Sequence, residues 1–202
     1  MLTRISKPLQ SAVTLEKAKL HTRVDLDVED SVLATYLASA IGECAQYASR
    51  ALEQCDYRLT LDDWSCEAGG VIPIPIAPLV AVDSVKYLDE ADSLVTVDAA
   101  DWGYQVTPGG GYVYFADGYS FPSLVTGKPG RVQIELTAGY DADDGSSGVS
   151  DPELEMPAPI VQAILVTFAH YYANRESVTA GKTPVVVPRA AEWLLDFYRI
   201  YR

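Results

Sequence analysis

MPAPIVQAILVTFAHYYANRES, residues 156–177, alternates its polar and apolar positions with the period of a helix, and VPRAAEWLLDFYRIYR, residues 187–202, follows after a short loop. In the first stretch Ile160, Ile164, Phe168, Tyr171 and Arg175 fall on one face, with Val161, Leu165 and Tyr172 beside it. Pro157 suits the first turn, where a missing N–H costs nothing. In the second stretch Pro188 starts a terminal helix expected to run to Arg202. Its polar residues Arg189, Glu192, Asp196, Arg199 and Arg202 recur every three or four positions and share one narrow face. Nearly everything else there is apolar or aromatic: Ala190, Ala191, Trp193, Leu194, Leu195, Phe197, Tyr198, Ile200 and Tyr201. Such a helix has more apolar surface than a small core takes up, so it is expected to meet a neighbour. Aromatic residues and arginine are enriched at the centres of protein contacts. Trp193, Leu194, Phe197, Tyr198 and Tyr201 are therefore the expected contact residues, with Arg175 second.

Moving toward the amino terminus, residues 141–151 (DADDGSSGVSD) are a solvated loop. Before it the period changes from 3.6 to two. In 131–137, Val132, Ile134 and Leu136 alternate with Gln133, Glu135 and Thr137, the mark of a half-buried strand. Residues 57–64 (YRLTLDDW) alternate likewise. Further strands are expected at 80–88, 94–98, 104–106 and 112–115, with turn signals between them. VIPIPI, residues 71–76, has prolines at alternate positions and suits an edge strand. TPGGGY, residues 107–112, lacks the Lys-Ser/Thr of a phosphate loop and reads as a turn between strands. The first part of the chain is helical again. Thr14 is the expected cap of a helix over 15–21. A longer helix is expected from 28 to about 54, capped by Asp27, with Leu33, Leu37, Ile41, Cys44, Ala48, Leu52 and Cys55 along one stripe. Gly42 and the alanines are expected to admit a second helix closely. Residues 1–13 read as an arm.

The order is helices, strands, helices, which is an α+β fold. The expected divisions are a helical part over 1–56, an antiparallel β-domain over 57–140, a loop over 141–156 and a second helical part over 157–202.

Composition excludes several classes of function. The chain has 202 residues, 49% of them apolar, and a formal net charge of −13. That charge repels phosphates, so clamping of nucleic acid is not expected. Cys44, Cys55 and Cys66 form no CxxC pair and there are two histidines, so neither a zinc site nor any other cofactor is expected. DADDG (141–145) lacks the spacing and distal Glu of a calcium loop. No apolar run reaches the length of a membrane span, and the amino terminus lacks the apolar core of a signal peptide. His21 and His170 have no nucleophile in a recognisable motif, GxSxG is absent, and Asp62–Asp63 read as strand-edge carboxylates. No catalytic residue is expected.

These pieces in this order resemble the head–tail connector (adaptor) proteins of tailed bacteriophages, in the branch with an inserted β-domain. The resemblance rests on VTLEKAKLHTRVD (13–25), IPIPIAPLVAVDSVKYLD (72–89), GYSFP (118–122), RVQIELTAGY (131–140) and the two carboxyl-terminal stretches. Thr22 departs from the leucine usual in the family. The resemblance implies a helical adaptor core, with the amino- and carboxyl-terminal helices packed together. It further implies a virion structural protein assembled as a homo-oligomeric ring, commonly of about twelve copies, beneath the portal protein. Such a ring extends the DNA channel without binding DNA specifically and docks the tail or a stopper protein. It would be assembled in the host cytoplasm and would reside at the head–tail interface. A second reading makes the β-domain a recognition module for a host or tail ligand, presenting Tyr112, Tyr114, Tyr119 and Phe121.

Overall fold

The computed structural model describes residues 1–8, 10–24, 28–64, 70–141, 154–174 and 189–201. It is an α+β fold of four helices and eight strands among those residues, in two compact units. One unit comprises residues 1–9 and 54–139 and holds the strands; the other comprises 10–53 and 140–202 and holds the helices.

In the helical unit, α1 (Leu15–Thr22) starts at Thr14, whose side chain accepts a hydrogen bond from the Lys17 amide and so satisfies one of the donors a helix start leaves free. α2 (Asp30–Ala48) buries Leu33, Leu37, Ala40, Ile41, Cys44 and Ala48, a stripe at spacings of three and four. It stops six residues earlier than the sequence led us to expect. Ser49 closes it in the left-handed conformation, its amide bonding back to the last turn. Leu52 and Cys55 are buried all the same, but off the helix; Cys55 begins a strand. Gly42 also departs from expectation. A methyl group there would meet nothing within 4 Å, so glycine is not what admits the neighbouring helix. α3 (Ala158–Ala173) follows Pro157 and buries Ile160, Val161, Ala163, Ile164, Leu165, Thr167 and Phe168. α4 (Arg189–Asp196) adds Ala191 and Leu195 to the same core. The Asp27 cap, the loop 177–187, most of the acidic loop 141–151 and Cys66 lie outside the described residues.

In the β unit, β1 (Leu2–Arg4), β2 (Cys55–Leu61), β8 (Val132–Ala138), β4 (Leu79–Leu88) and β5 (Leu94–Thr96) form one antiparallel sheet in the order β1-β2-β8-β4-β5. β3 (Val71–Ile74), β7 (Gly110–Phe115) and β6 (Trp102–Thr107) form a second, in the order β3-β7-β6. The alternation in β8 is the sequence pattern made visible: Val132, Ile134, Leu136 and Ala138 are fully buried and the residues between them are not. β3 is an edge strand, as expected of a strand that contains Pro73. The hairpin at Pro108–Gly109 joins β6 to β7, and Gly110 is needed there: its φ is +142°, and a Cβ would stand 2.2 Å from the Ile74 carbonyl oxygen. The first residues, read as an arm and assigned to the helical part, instead supply a strand to the β unit. Three residues are too few to show a period.

Candidate interface on the carboxyl-terminal helix

α4 is fastened to the helical unit on one side and bare on the other. Ala191 and Leu195, four residues apart, point into the core at 3% and 2% exposure. Trp193 and Phe197 point away at 80% and 93%. Leu194 and Tyr198 lie between, half-buried against the core. Pro159, Ala190, Trp193, Leu194, Phe197 and Tyr198 line an open, apolar groove of about 450 Å³. Of the residues expected at a contact, five therefore converge on α4 and the segment that follows; Tyr201 is 76% exposed, and Arg175 lies outside the described residues.

The helix ends at Asp196, not at Arg202 as its pattern predicted. The cause is tertiary. The Arg50 guanidinium donates through Nε to the Tyr198 carbonyl, and the Ile200 amide donates to the Ala48 carbonyl at 3.0 Å. Both acceptor and donor are groups at a helix end that need partners from elsewhere. The chain after α4 thus turns across the end of α2. Tyr47 donates its hydroxyl to Asp196 at 2.7 Å, and the carboxylate holds the phenol pKa above its ordinary value. The Arg199 guanidinium lies 4.8 Å from the centre of the Tyr47 ring and 5.2 Å from that of Tyr201, within cation–π range. Arg199 therefore does not extend a helical polar face; it ties Tyr201 to α2. These contacts tie the end of α4 and the segment after it to α2, while Trp193 and Phe197 face water. Singly exposed apolar residues are ordinary; here they adjoin a contiguous apolar groove.

Other groups carry no comparable arrangement. The Cys44 thiol faces Thr167 Oγ1 at 3.8 Å, and burial pushes its pKa up to about 11, which suits packing and not nucleophilic chemistry. Tyr171 donates to Glu43 and is pushed up to about 12, chiefly by that bond. His170 packs beside Tyr171 and the Asn174 amide. Among the described residues no three His, Cys, Asp or Glu side chains are placed to share a metal ion, and no helix is long and apolar enough to cross a membrane.

The tyrosine-rich stretch of the β unit does not form one exposed surface. Tyr119 and Phe121 join Trp64 and Phe115 in a cluster with ring centres 4.9–5.7 Å apart, and the Trp64 indole donates to the Pro122 carbonyl at 3.1 Å. Tyr112 donates to Gln105 at 2.6 Å. Tyr114 and, within the cluster, Phe121 remain exposed, at 45% and 39%, the Tyr114 ring lying over Gly103.

No family model and no curated protein matches the chain. Solved structures do. A chain in the neck of an empty GTA particle, computed with C6 symmetry, is 28% identical, with a TM-score of 0.76 over 100% of this chain and 96% of that one. A chain in the virion of the native gene transfer agent (GTA) particle is 27% identical with the same TM-score and coverage. A chain in the neck of the native GTA particle, computed with C12 symmetry, is 26% identical with a TM-score of 0.71 and the same coverage. From end to end, then, this chain is similar in fold and in part of its sequence to chains of gene transfer agent particles and their necks.

Proposed function

We propose that the protein is a structural component of the neck of a phage-like particle, an adaptor that assembles with copies of itself into a ring between a portal protein and the tail or stopper. The observation that carries this reading is the whole-length likeness to chains of particle necks computed with sixfold and twelvefold symmetry. Cyclic symmetry requires each copy to bury surface against its neighbours. The α4 groove is surface of that kind, and Trp193, Phe197 and Tyr201, with Leu194 and Tyr198 beneath them, are the residues assigned to a subunit or portal contact. Arg175 is assigned to the same contact on the strength of its place in the sequence. The protein works by shape and contact, not by turnover. A charge of −13 suits a channel past which DNA slides without adsorbing.

The test is co-expression with a cognate portal protein, followed by light scattering and negative-stain microscopy. A ring of this chain bound to the portal is the expected result. Complete particles that contain the portal but not this chain would overturn the reading. Isolated protomers alone would not, because the portal can template the ring.

A further inference from the structure

The two sheets of the β unit have four outer strands, which differ in how far they are protected. Open edges invite pairing with other chains, so proteins shorten them, charge them or place proline in them. β1 and β5 are three residues long. β3 carries Pro73, which has no N–H to offer. β6 has none of these protections. It runs for six residues, WGYQVT, with no proline and no charge.

Its free edge is also well defined. The Ala116 amide donates to the Asp101 carbonyl, and Trp102 pairs with Phe115. Hydrogen-bonded and non-hydrogen-bonded pairs alternate in an antiparallel ladder. Trp102, Tyr104 and Val106 therefore direct their N–H and C=O groups away from β7. Tyr104 and Val106 are 38% and 45% exposed, and the Trp102 indole N–H is buried with no acceptor among the described residues. The same alternation applies to β1, where the Thr60 amide donates to the Met1 carbonyl and the Ile5 amide to the Asp56 carbonyl. There Leu2 and Arg4 face outward.

We infer that neighbouring copies are joined by a β-seam in which the free edge of β6 in one copy pairs with the free edge of β1 in the next. The inference rests on the ring reading above. Neighbours in a cyclic ring of more than two copies meet through two different surfaces, so β6 cannot pair with its own twin, which would generate a twofold contact. Of the remaining edges β3 is blocked by proline. Charge separates the other two. β6 is entered from Asp98 and Asp101, and β5 is flanked by Asp89, Glu90 and Asp92, so those two edges repel. β1 ends in Arg4 and is followed by Lys7, both exposed, and no acidic residue occurs among residues 1–15 of an otherwise acidic chain. In an antiparallel seam Arg4 and Leu2, whose backbone groups face outward, would stand opposite Tyr104 and Val106.

Proline tests each edge without touching its internal ladder, since the lost N–H is one that faces outward. Val106→Pro and Arg4→Pro are each expected to abolish rings while circular dichroism stays that of the wild type. Mixed in equal amounts they are expected to give capped pairs of twice the protomer mass, because each retains one sound edge. Rings from either variant, alone or with the portal, would overturn the seam, as would a mixture that gives no pairs where the wild type closes its ring unaided. If Val106→Pro fails to fold, Tyr104→Lys places a charge on the same edge and is expected to abolish rings likewise. Amide hydrogen exchange separates the seam from the ring itself. Wild-type rings in which the Trp102, Tyr104 and Val106 amides exchange as fast as in the protomer would sink the seam and leave the ring reading intact. A chain that forms no ring with or without the portal removes both.

Discussion

The aromatic cluster around Trp64 in the β unit and the aromatic pair on the carboxyl-terminal helix stand in opposite states. In the β unit Trp64, Phe115, Tyr119 and Phe121 find one another. Edge-to-face and stacked geometry satisfies the rings, and Pro122 satisfies the indole N–H. In the helical unit Trp193 and Phe197 find nothing, although Leu195 between them is fully packed. Residue type alone does not separate these cases. What separates them is whether a ring meets partners within its own unit. A cluster closed on itself contributes to folding. An exposed aromatic pair adds little to the fold of its own protomer, and on the reading proposed above it is left for another chain.

α4 offers the sharpest way to break that contrast, because opposite roles sit two residues apart. Leu195→Ala removes a buried side chain from the core and is expected to cost about 2–4 kcal/mol of stability, read from urea unfolding. Phe197→Ala is expected to change stability by less than about 0.5 kcal/mol. Equal losses for the two would place Phe197 in the protomer's own core and remove the interface. In the β unit Trp64→Ala should cost about 2–3 kcal/mol, since the cluster loses its largest ring and the half-buried site collapses only in part. A negligible loss would make that cluster an exposed surface after all and would revive a recognition role for it.

The interface itself is probed by Trp193→Ala. Central aromatic anchors are worth about 2 kcal/mol or more in association, roughly a thirtyfold weaker ring or portal affinity, with unfolding unchanged. Deleting residues 187–202 would be a poorer experiment, since it also strips Ala191 and Leu195 from the core. Wild-type affinity for Trp193→Ala, measured by sedimentation with the portal, would remove the groove from the contact.

Much of this was legible in the sequence because it is local. Period two placed β8, the prolines placed β3 at an edge, Thr14 marked the start of α1, and the apolar excess of α4 singled out its aromatics. The misses are tertiary. α2 ends at a serine in the left-handed conformation, with neither glycine nor proline to announce it. α4 ends where Arg50 and Ala48 capture the backbone beyond it, 148 and 152 positions away in the chain for Tyr198 and Ile200. β1 is a strand only because β2 lies beside it. The open edge of β6 could not be read at all until the strand order was known, since an edge is a property of a sheet and not of a segment.

The smallest expected effect contrasts the two units through pH. Glu135, on the open face of the five-stranded sheet, accepts from Lys86 on one neighbouring strand and Arg58 on the other, and from Ser84. The Lys86 ammonium, then the Arg58 guanidinium, lower its pKa from an ordinary 4.5 to about 2. A carboxyl whose pKa falls on folding stabilises the folded state fully above 4.5 and loses that contribution as pH drops through about 2. The side chain keeps 22% exposure, so screening limits the effect to about 1 kcal/mol. Trp64 and Trp102 lie in the β unit and Trp193 in the helical unit, so in a Trp193→Phe background tryptophan emission reports the β unit alone. Its unfolding midpoint should fall between pH 4.5 and 2, and Glu135→Gln should flatten that slope. An unchanged slope in the variant would mean that the three-strand charge cluster contributes nothing, and that the β unit is held by its aromatic cluster and apolar core alone.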